Sequence, residues 1–174
     1  MRAAAVLAFA LGCGGRGEPR ASSPAPVPAA RVAEAPDSIS PPRGLSARAP
    51  DSISAAAAAR TLRDYYAAIE SKDLRRAYAK WGGRGAASGK SFDTFARGFA
   101  ATAHVAADLG APGPVEGAAG SRYVEIPVVV RAVTTGGERQ RFEGRYVLRR
   151  SEVDGATPEQ RSWRIDSARL RPAP

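Results

Sequence analysis

The feature that most constrains the fold is a run of alternating apolar residues within positions 121–133. An apolar side chain stands at every second position: Val124, Ile126, Val128, Val130 and Ala132. Successive side chains of a β-strand point to opposite faces, so this spacing predicts a long strand with one apolar face. That face must be shielded from water, and the rest of the chain has to provide the cover.

Three segments before this strand have the spacing of amphipathic helices. The first is predicted over residues 55–71, with Ser54 or Asp51 as its N-cap. The second follows Asp73 and stops at the glycines near position 82, and the third follows Ser91. These three helices are the available cover for the apolar sheet face.

After the third helix the apolar period changes from helical to strand-like. Pro127 inside the long strand predicts a sheet edge or a bulge. Gly136 and Gly137 predict a hairpin turn. Further strands are predicted over 103–109, continued through 115–117 after a bend, and over 139–150 and 162–170. The predicted fold class is α+β, with three N-terminal helices packed on a mostly antiparallel sheet of about four strands.

The order of these elements resembles the nuclear transport factor two-like superfamily, which includes SnoaL-type cyclases and ketosteroid isomerases. The likeness covers residues 55–171 and rests on the patterns Leu62-x-x-Tyr65-Tyr66-x-x-Ile69 and Asp73-Leu74-x-x-Ala77-Tyr78-x-x-Trp81. The resemblance implies a curved sheet that forms a cone with a pocket at its open end. It also implies homodimers through the outer sheet face. Because members include enzymes, binding proteins and scaffolds, the fold does not decide the function.

The N-terminus resembles a bacterial lipoprotein signal. Arg2 precedes about ten apolar residues, which are too few to span a bilayer, and the box Ala10-Leu11-Gly12-Cys13 closes the run. The resemblance implies that residues 1–12 are removed and that Cys13 is lipidated, which anchors the protein to a membrane. Gly14 after the cysteine implies the outer membrane of the cell envelope, facing the periplasm. The alternative is an ordinary signal peptide that contains a cysteine.

Residues 13–54 are predicted to form a disordered tether, because they are rich in Pro, Ala, Ser and Arg and poor in large apolar groups. The hexapeptide Ala-Pro-Asp-Ser-Ile-Ser occurs twice in the tether, at 35–40 and at 49–54. The repeat is either a peptide handle for a partner or a duplicated helix start. The second interpretation is favoured because the second copy leads directly into the first predicted helix.

Composition excludes several classes of site. The net charge is +9, but acidic residues are interspersed with the basic ones, so no specific nucleic-acid partner is predicted. The single cysteine rules out an internal disulfide framework, and the single histidine, His104, rules out the common zinc constellations. We therefore predict no metal and no cofactor.

The sequence does not favour catalysis. The segment 82–89, where the isomerases of the superfamily place a catalytic carboxylate, contains neither Asp nor Glu. Its glycines only approximate a phosphate-binding loop, because the spacing is one residue short. His104 is four residues from Asp108 on one predicted strand, roughly 13 Å apart, which is too far for an acid–base pair.

Two sets of residues are candidates for binding. In the cone that the resemblance implies, the candidate pocket lining consists of Tyr65, Tyr66, Tyr78, Tyr123 and Tyr146. The candidate basic face consists of Arg131, Arg141, Arg145 and Arg149. That face is either a plate for anionic headgroups or a solvated sheet surface on which Glu125 and Glu143 pair with the arginines.

The sequence thus predicts a non-catalytic envelope lipoprotein that binds a small ligand or a protein partner and is held at the membrane by Cys13. Two alternatives remain. One is an accessory or scaffold subunit of an envelope assembly. The other is a small isomerase, dehydratase or cyclase that works in the pocket.

Overall fold

The computed structural model describes residues 52–174. The predicted signal segment, Cys13, the first copy of the hexapeptide and most of the tether lie outside the described residues. The described range folds into three α-helices and five strands, in the order α1 (Ala55–Glu70), α2 (Leu74–Tyr78), α3 (Phe92–Gly98), β1 (Thr102–Leu109), β2 (Glu116–Ala118), β3 (Ser121–Thr134), β4 (Arg139–Ser151) and β5 (Arg164–Pro172). The predicted α+β class is confirmed.

Each helix begins at a polar side chain that accepts a hydrogen bond from a free backbone N–H of the first turn. Ser54 Oγ accepts from the Ala57 amide at 3.2 Å, and Asp73 Oδ1 accepts from the Arg76 amide at 3.0 Å. Ser91 Oγ caps α3 in the same way. The helix starts predicted from the sequence are therefore confirmed.

The strands form one antiparallel sheet in the order β1-β3-β4-β5, and the short β2 also pairs with β3. The segment predicted as a continuation of the first strand is thus a separate strand, which gives five strands rather than about four. Gly137, with a φ of 80°, lies in the turn that joins β3 to β4, as predicted.

Pro127 lies in the central strand, although its missing N–H predicts an edge or a bulge. Its carbonyl accepts a hydrogen bond from the Gly110 amide at 2.9 Å, so its backbone nitrogen also faces β1 and β2. At that level β1 has already ended, at Leu109, and β2 has not yet begun. The proline therefore lies beside the irregular segment between these two strands, where a missing N–H does not interrupt a continuous ladder.

The predicted apolar face of β3 is buried against the helices. Val124, Ile126, Val128 and Val130 are each at most 5% exposed, and they share one core with the stripe of α1. We call this side of the sheet the inner face and the opposite side the outer face. Within residues 52–174, no helix is both long and apolar enough to cross a bilayer.

Candidate functional site

The inner face holds a cluster of three tyrosines. Tyr65 and Tyr66 come from α1 and Tyr146 from β4, and their ring centroids are 5.0–6.2 Å apart. The hydroxyls of Tyr66 and Tyr146 are 2.7 Å apart and form a buried hydrogen bond. Trp81 packs against Tyr65 and Tyr146. The structure thus brings together three of the five candidate pocket tyrosines, as tightly packed rings.

Burial decides the chemistry of these three phenols. Loss of hydration raises the pKa of Tyr65, Tyr66 and Tyr146 above the ordinary value of 10.0, and their mutual proximity raises it further. All three are therefore neutral at physiological pH. They can donate and accept hydrogen bonds, but they do not act as bases there.

The other two candidate tyrosines lie apart from this cluster. Tyr78 packs against Phe92 and Phe95, and its hydroxyl donates to the carbonyl of Lys90 at 2.6 Å. Tyr123 lies on the outer face of β3, near the guanidinium of Arg149. The five tyrosines therefore do not line one common space.

The segment that approximates a phosphate loop is a compact turn held against Tyr78. Gly85 has a φ of 101°, and a Cβ at this position would overlap the Tyr78 ring. A single 3₁₀ turn, Ala86–Ser88, follows. The glycine here serves close packing of the backbone on an aromatic ring.

His104 pairs with a residue that the sequence does not single out. Its Nδ1 is 2.9 Å from Oε1 of Glu70 at the end of α1, and the Val105 amide donates to Oε2 of the same carboxylate at 2.6 Å. Lys72 donates to the carbonyls of Thr102 and Ala103. Asp108, the acidic residue nearest to His104 in sequence on this strand, pairs instead with Arg131. The end of α1 thus covers part of the β1 edge, a common protection of exposed edges.

This contact makes stability depend on pH. The hydrogen bond with His104, and next the one from the Val105 amide, lower the pKa of Glu70 below 4.5. A carboxyl group with a lowered folded-state pKa stabilises the fold above its unfolded pKa, and that contribution is lost as the pH falls through the folded value. We expect the free energy of unfolding of Glu70→Gln to depend less on pH than that of the wild type below pH 4.5. Urea denaturation between pH 3 and 6 measures this dependence. Identical slopes for the two proteins would contradict this role.

A groove of about 770 Å³ lies on the outer face. Among residues 52–174 no helix residue lines it, and most lining residues belong to the outward-pointing rows of β1, β3, β4 and β5. Two cross-strand rows form its centre. One row contains Asp108, Val129, Glu143 and Arg171, and the next contains Gly110, Pro127, Arg145 and Arg169. The groove therefore runs across the strands on the side away from the helices.

The charges in the groove are almost fully paired. Arg145 is 3.2 Å from Glu125, Arg171 is 2.7 Å from Glu143, and Asp108 pairs with Arg131 outside the groove. Arg169 is the one groove arginine without a carboxylate partner in the described part of the chain. Pro127 and Val129 supply apolar surface beside it.

All four arginines of the candidate basic face point outward. Arg131 and Arg141 lie opposite each other on β3 and β4, and Arg145 lies in the groove. Arg149 donates to Ser121 Oγ at 2.9 Å and 3.1 Å. Glu125 pairs with Arg145, and Glu143 pairs with Arg171, so acidic and basic side chains alternate on this face.

Comparison with known proteins gives a fold but no family. No protein-family model matches the chain, and no curated protein matches its sequence. The structure is similar to a crystal structure from Novosphingobium aromaticivorans that is described as a putative aromatic ring hydroxylase, with a TM-score of 0.50 and 16% sequence identity. The match covers 68% of this chain and 92% of that one. At this identity the similarity shows a shared fold alone.

Sequence reasoning missed Glu70, Arg169 and Arg171. Glu70 gave no signal because its partner on β1 is 34 residues away. The other two lie at the end of β5, which runs to Pro172 rather than stopping at position 170. Simple alternation from the buried Ile165 would point both arginines inward, and the register irregularity in the β4–β5 pairing reverses that parity.

Proposed function

We propose that this chain is a non-catalytic, lipid-anchored envelope protein that binds a small ligand in the outer-face groove. The observation that carries the proposal is the groove itself. It has about 770 Å³ of open volume, and apolar surface from Val129 and Pro127 lies beside charged groups. Ligand sites in proteins typically combine these features at comparable volumes.

The chemistry of the described residues supports binding rather than catalysis. A general base is expected in a cavity, with a pKa adjusted to its task. Here the buried phenols are held neutral, and the carboxylates of the groove are engaged by arginines. Glu70, whose pKa is lowered, is occupied with the β1 edge.

The membrane anchor is proposed from the signal box that ends at Cys13. At the other end of the proposed tether, the nearly buried Arg150 of β4 donates to the Ser52 carbonyl at 2.8 Å and lies 2.7 Å from Glu152. These contacts hold the chain just before α1 against the sheet. The tether would therefore pull on a fixed point of the domain rather than on a loose end.

We also infer that residues 55–171 form a nuclear transport factor two-like domain with a cone-shaped interior. Support comes from the order of helices and strands and from the similarity to the Novosphingobium structure. In this domain the aromatic cluster of Tyr65, Tyr66, Tyr146 and Trp81 occupies the interior. The outer face is then the better surface for a ligand.

The proposal is tested by placing a charge in the apolar part of the groove. We expect Val129→Arg to weaken binding of the uncharged fluorescent probe N-phenyl-1-naphthylamine to the full-length chain by about ten-fold, because a guanidinium would have to be desolvated beneath it. The measurement is a fluorescence titration. Thermal unfolding of the variant should match that of the wild type, because Val129 is on the outer face.

The matched control is Val133→Arg, on the same strand and the same face but outside the groove. It should leave the affinity for the probe unchanged. Equal losses in both variants, or no loss in Val129→Arg, would contradict the assignment of the site.

A second candidate function is a scaffold that self-associates through the same face. The row with Asp108 and Glu143 lies beside the row with Arg145 and Arg169. A two-fold axis between the rows could set acids of one copy against bases of the other, as an isologous interface requires. Light scattering that shows a dimer, together with loss of the dimer in Arg145→Glu, would favour this alternative over ligand binding.

A further inference from the structure

The geometry points to an amphiphile with a single negative charge as the ligand of the groove: its anionic head would pair with Arg169, and its apolar body would lie on Val129 and Pro127. This inference rests on the proposed function, because it assigns a ligand class to the same groove. It depends on the charge balance of the groove, on the neighbours of Arg169, and on where polar and apolar groups lie across the sheet.

Counted together with Arg131, which pairs with Asp108 from outside the lining, the charged groups of the groove leave one positive charge. The lining carboxylates are Asp108, Glu125 and Glu143, and each one already pairs with an arginine. Arg169 has no such partner among the described residues. One uncompensated guanidinium matches one negative charge, whereas a phosphate monoester carries nearly two at neutral pH.

The neighbour of Arg169 makes an anion more favourable at this place. Arg169 lies directly opposite Arg145 in the β4–β5 pair. Like charges directly opposite each other on adjacent strands are destabilising. Glu125 offsets the charge of Arg145 at 3.2 Å, but nothing in the described range offsets that of Arg169. An oxyanion bound by Arg169 would remove this repulsion and form a charge-assisted hydrogen bond.

The apolar and cationic parts of the groove occupy opposite ends. Pro127 and Val129 lie on β3, whereas Arg169 lies on β5. Two strand spacings separate β3 from β5, which is roughly 10 Å. A ligand that reaches both ends therefore needs an apolar body of about this length attached to its anionic head.

Two probes that differ only in the charged group test this inference on the full-length chain. 1-Anilinonaphthalene-8-sulfonate carries one negative charge, and N-phenyl-1-naphthylamine is the same skeleton without the sulfonate. We expect Arg169→Gln to weaken binding of the sulfonate probe by about five-fold or more and to leave the affinity for the uncharged probe unchanged. Arg139→Gln, an exposed arginine of β4 outside the groove, should affect neither probe.

The outcomes separate this inference from the proposed function. If Val129→Arg weakens binding of both probes but Arg169→Gln weakens binding of neither, the groove is the site and the anionic ligand class is wrong. If Arg169→Gln and Arg139→Gln weaken the sulfonate probe equally, its binding reflects general charge, and the ligand class is again overturned. If neither probe responds to Val129→Arg, the proposed function itself fails.

Discussion

Tyr146→Ala is expected to lower the free energy of unfolding by about 3–5 kcal/mol, the range observed when a large buried aromatic ring is removed. Tyr146 is 1% exposed and packs on Tyr65, Tyr66 and Trp81. Its loss leaves a cavity between α1 and the sheet and removes the partner of the Tyr66 hydroxyl. Urea denaturation followed by circular dichroism measures the effect.

Tyr123→Ala is the matched control, because it removes the same side chain from the outer face of the same sheet. We expect it to lower the free energy of unfolding by at most about 1 kcal/mol, as is usual for substitutions at the surface. Tyr146→Phe should lie between the two, since it retains the ring but leaves a buried hydroxyl on Tyr66 without its partner. Comparable losses for Tyr146→Ala and Tyr123→Ala would show that the tyrosine cluster is not a packed core.

Gly144→Ala is the second substitution for which we expect a large effect. A Cβ at position 144 would overlap the carbonyl oxygen of Arg169 and lie 2.9 Å from its carbonyl carbon. The obstacle is backbone of the adjacent strand, so β4 and β5 would have to separate. We expect a loss of about 2–3 kcal/mol in the free energy of unfolding, as for other overpacked sites. The β5 amides next to Arg169 should also exchange faster with deuterium.

Gly117→Ala is the appropriate comparison, because Gly117 also lies in a strand but a Cβ there meets nothing within 4 Å. It should leave stability within about 0.5 kcal/mol of the wild type. If Gly144→Ala proved equally harmless, the close approach of β4 and β5 beneath the groove would be wrong.

The fold class could be predicted because its signals are local. The alternation in β3, the helix caps at Ser54, Asp73 and Ser91, and the turn at Gly137 each depend on a few neighbouring residues. Pro127 was harder to place, because its position depends on where a different strand ends. A sequence pattern reports the chain's own periodicity and carries little information about the limits of its neighbours.

The candidate site could be predicted only in part, for the same reason. The alternation of side chains along each strand placed Arg145 on the outer face and indicated that Glu125 could pair across strands. It did not reveal that Arg169 would lie opposite Arg145, because that contact depends on the register between β4 and β5. The tyrosines show a different limit. Tyr65 and Tyr66 are adjacent in sequence, yet only the packing of β4 decides that their rings meet Tyr146 rather than an open pocket.

The most direct test of where this protein binds is a map of backbone amide shifts during titration of the isotope-labelled full-length chain with 1-anilinonaphthalene-8-sulfonate. We predict that the largest shifts fall on residues 125–129, 143–145 and 169–171, with little change at Tyr65 and Tyr66. Largest shifts at Tyr65, Tyr66 and their neighbours on α1 would contradict the account, because the ligand would then enter the interior between the helices and the sheet.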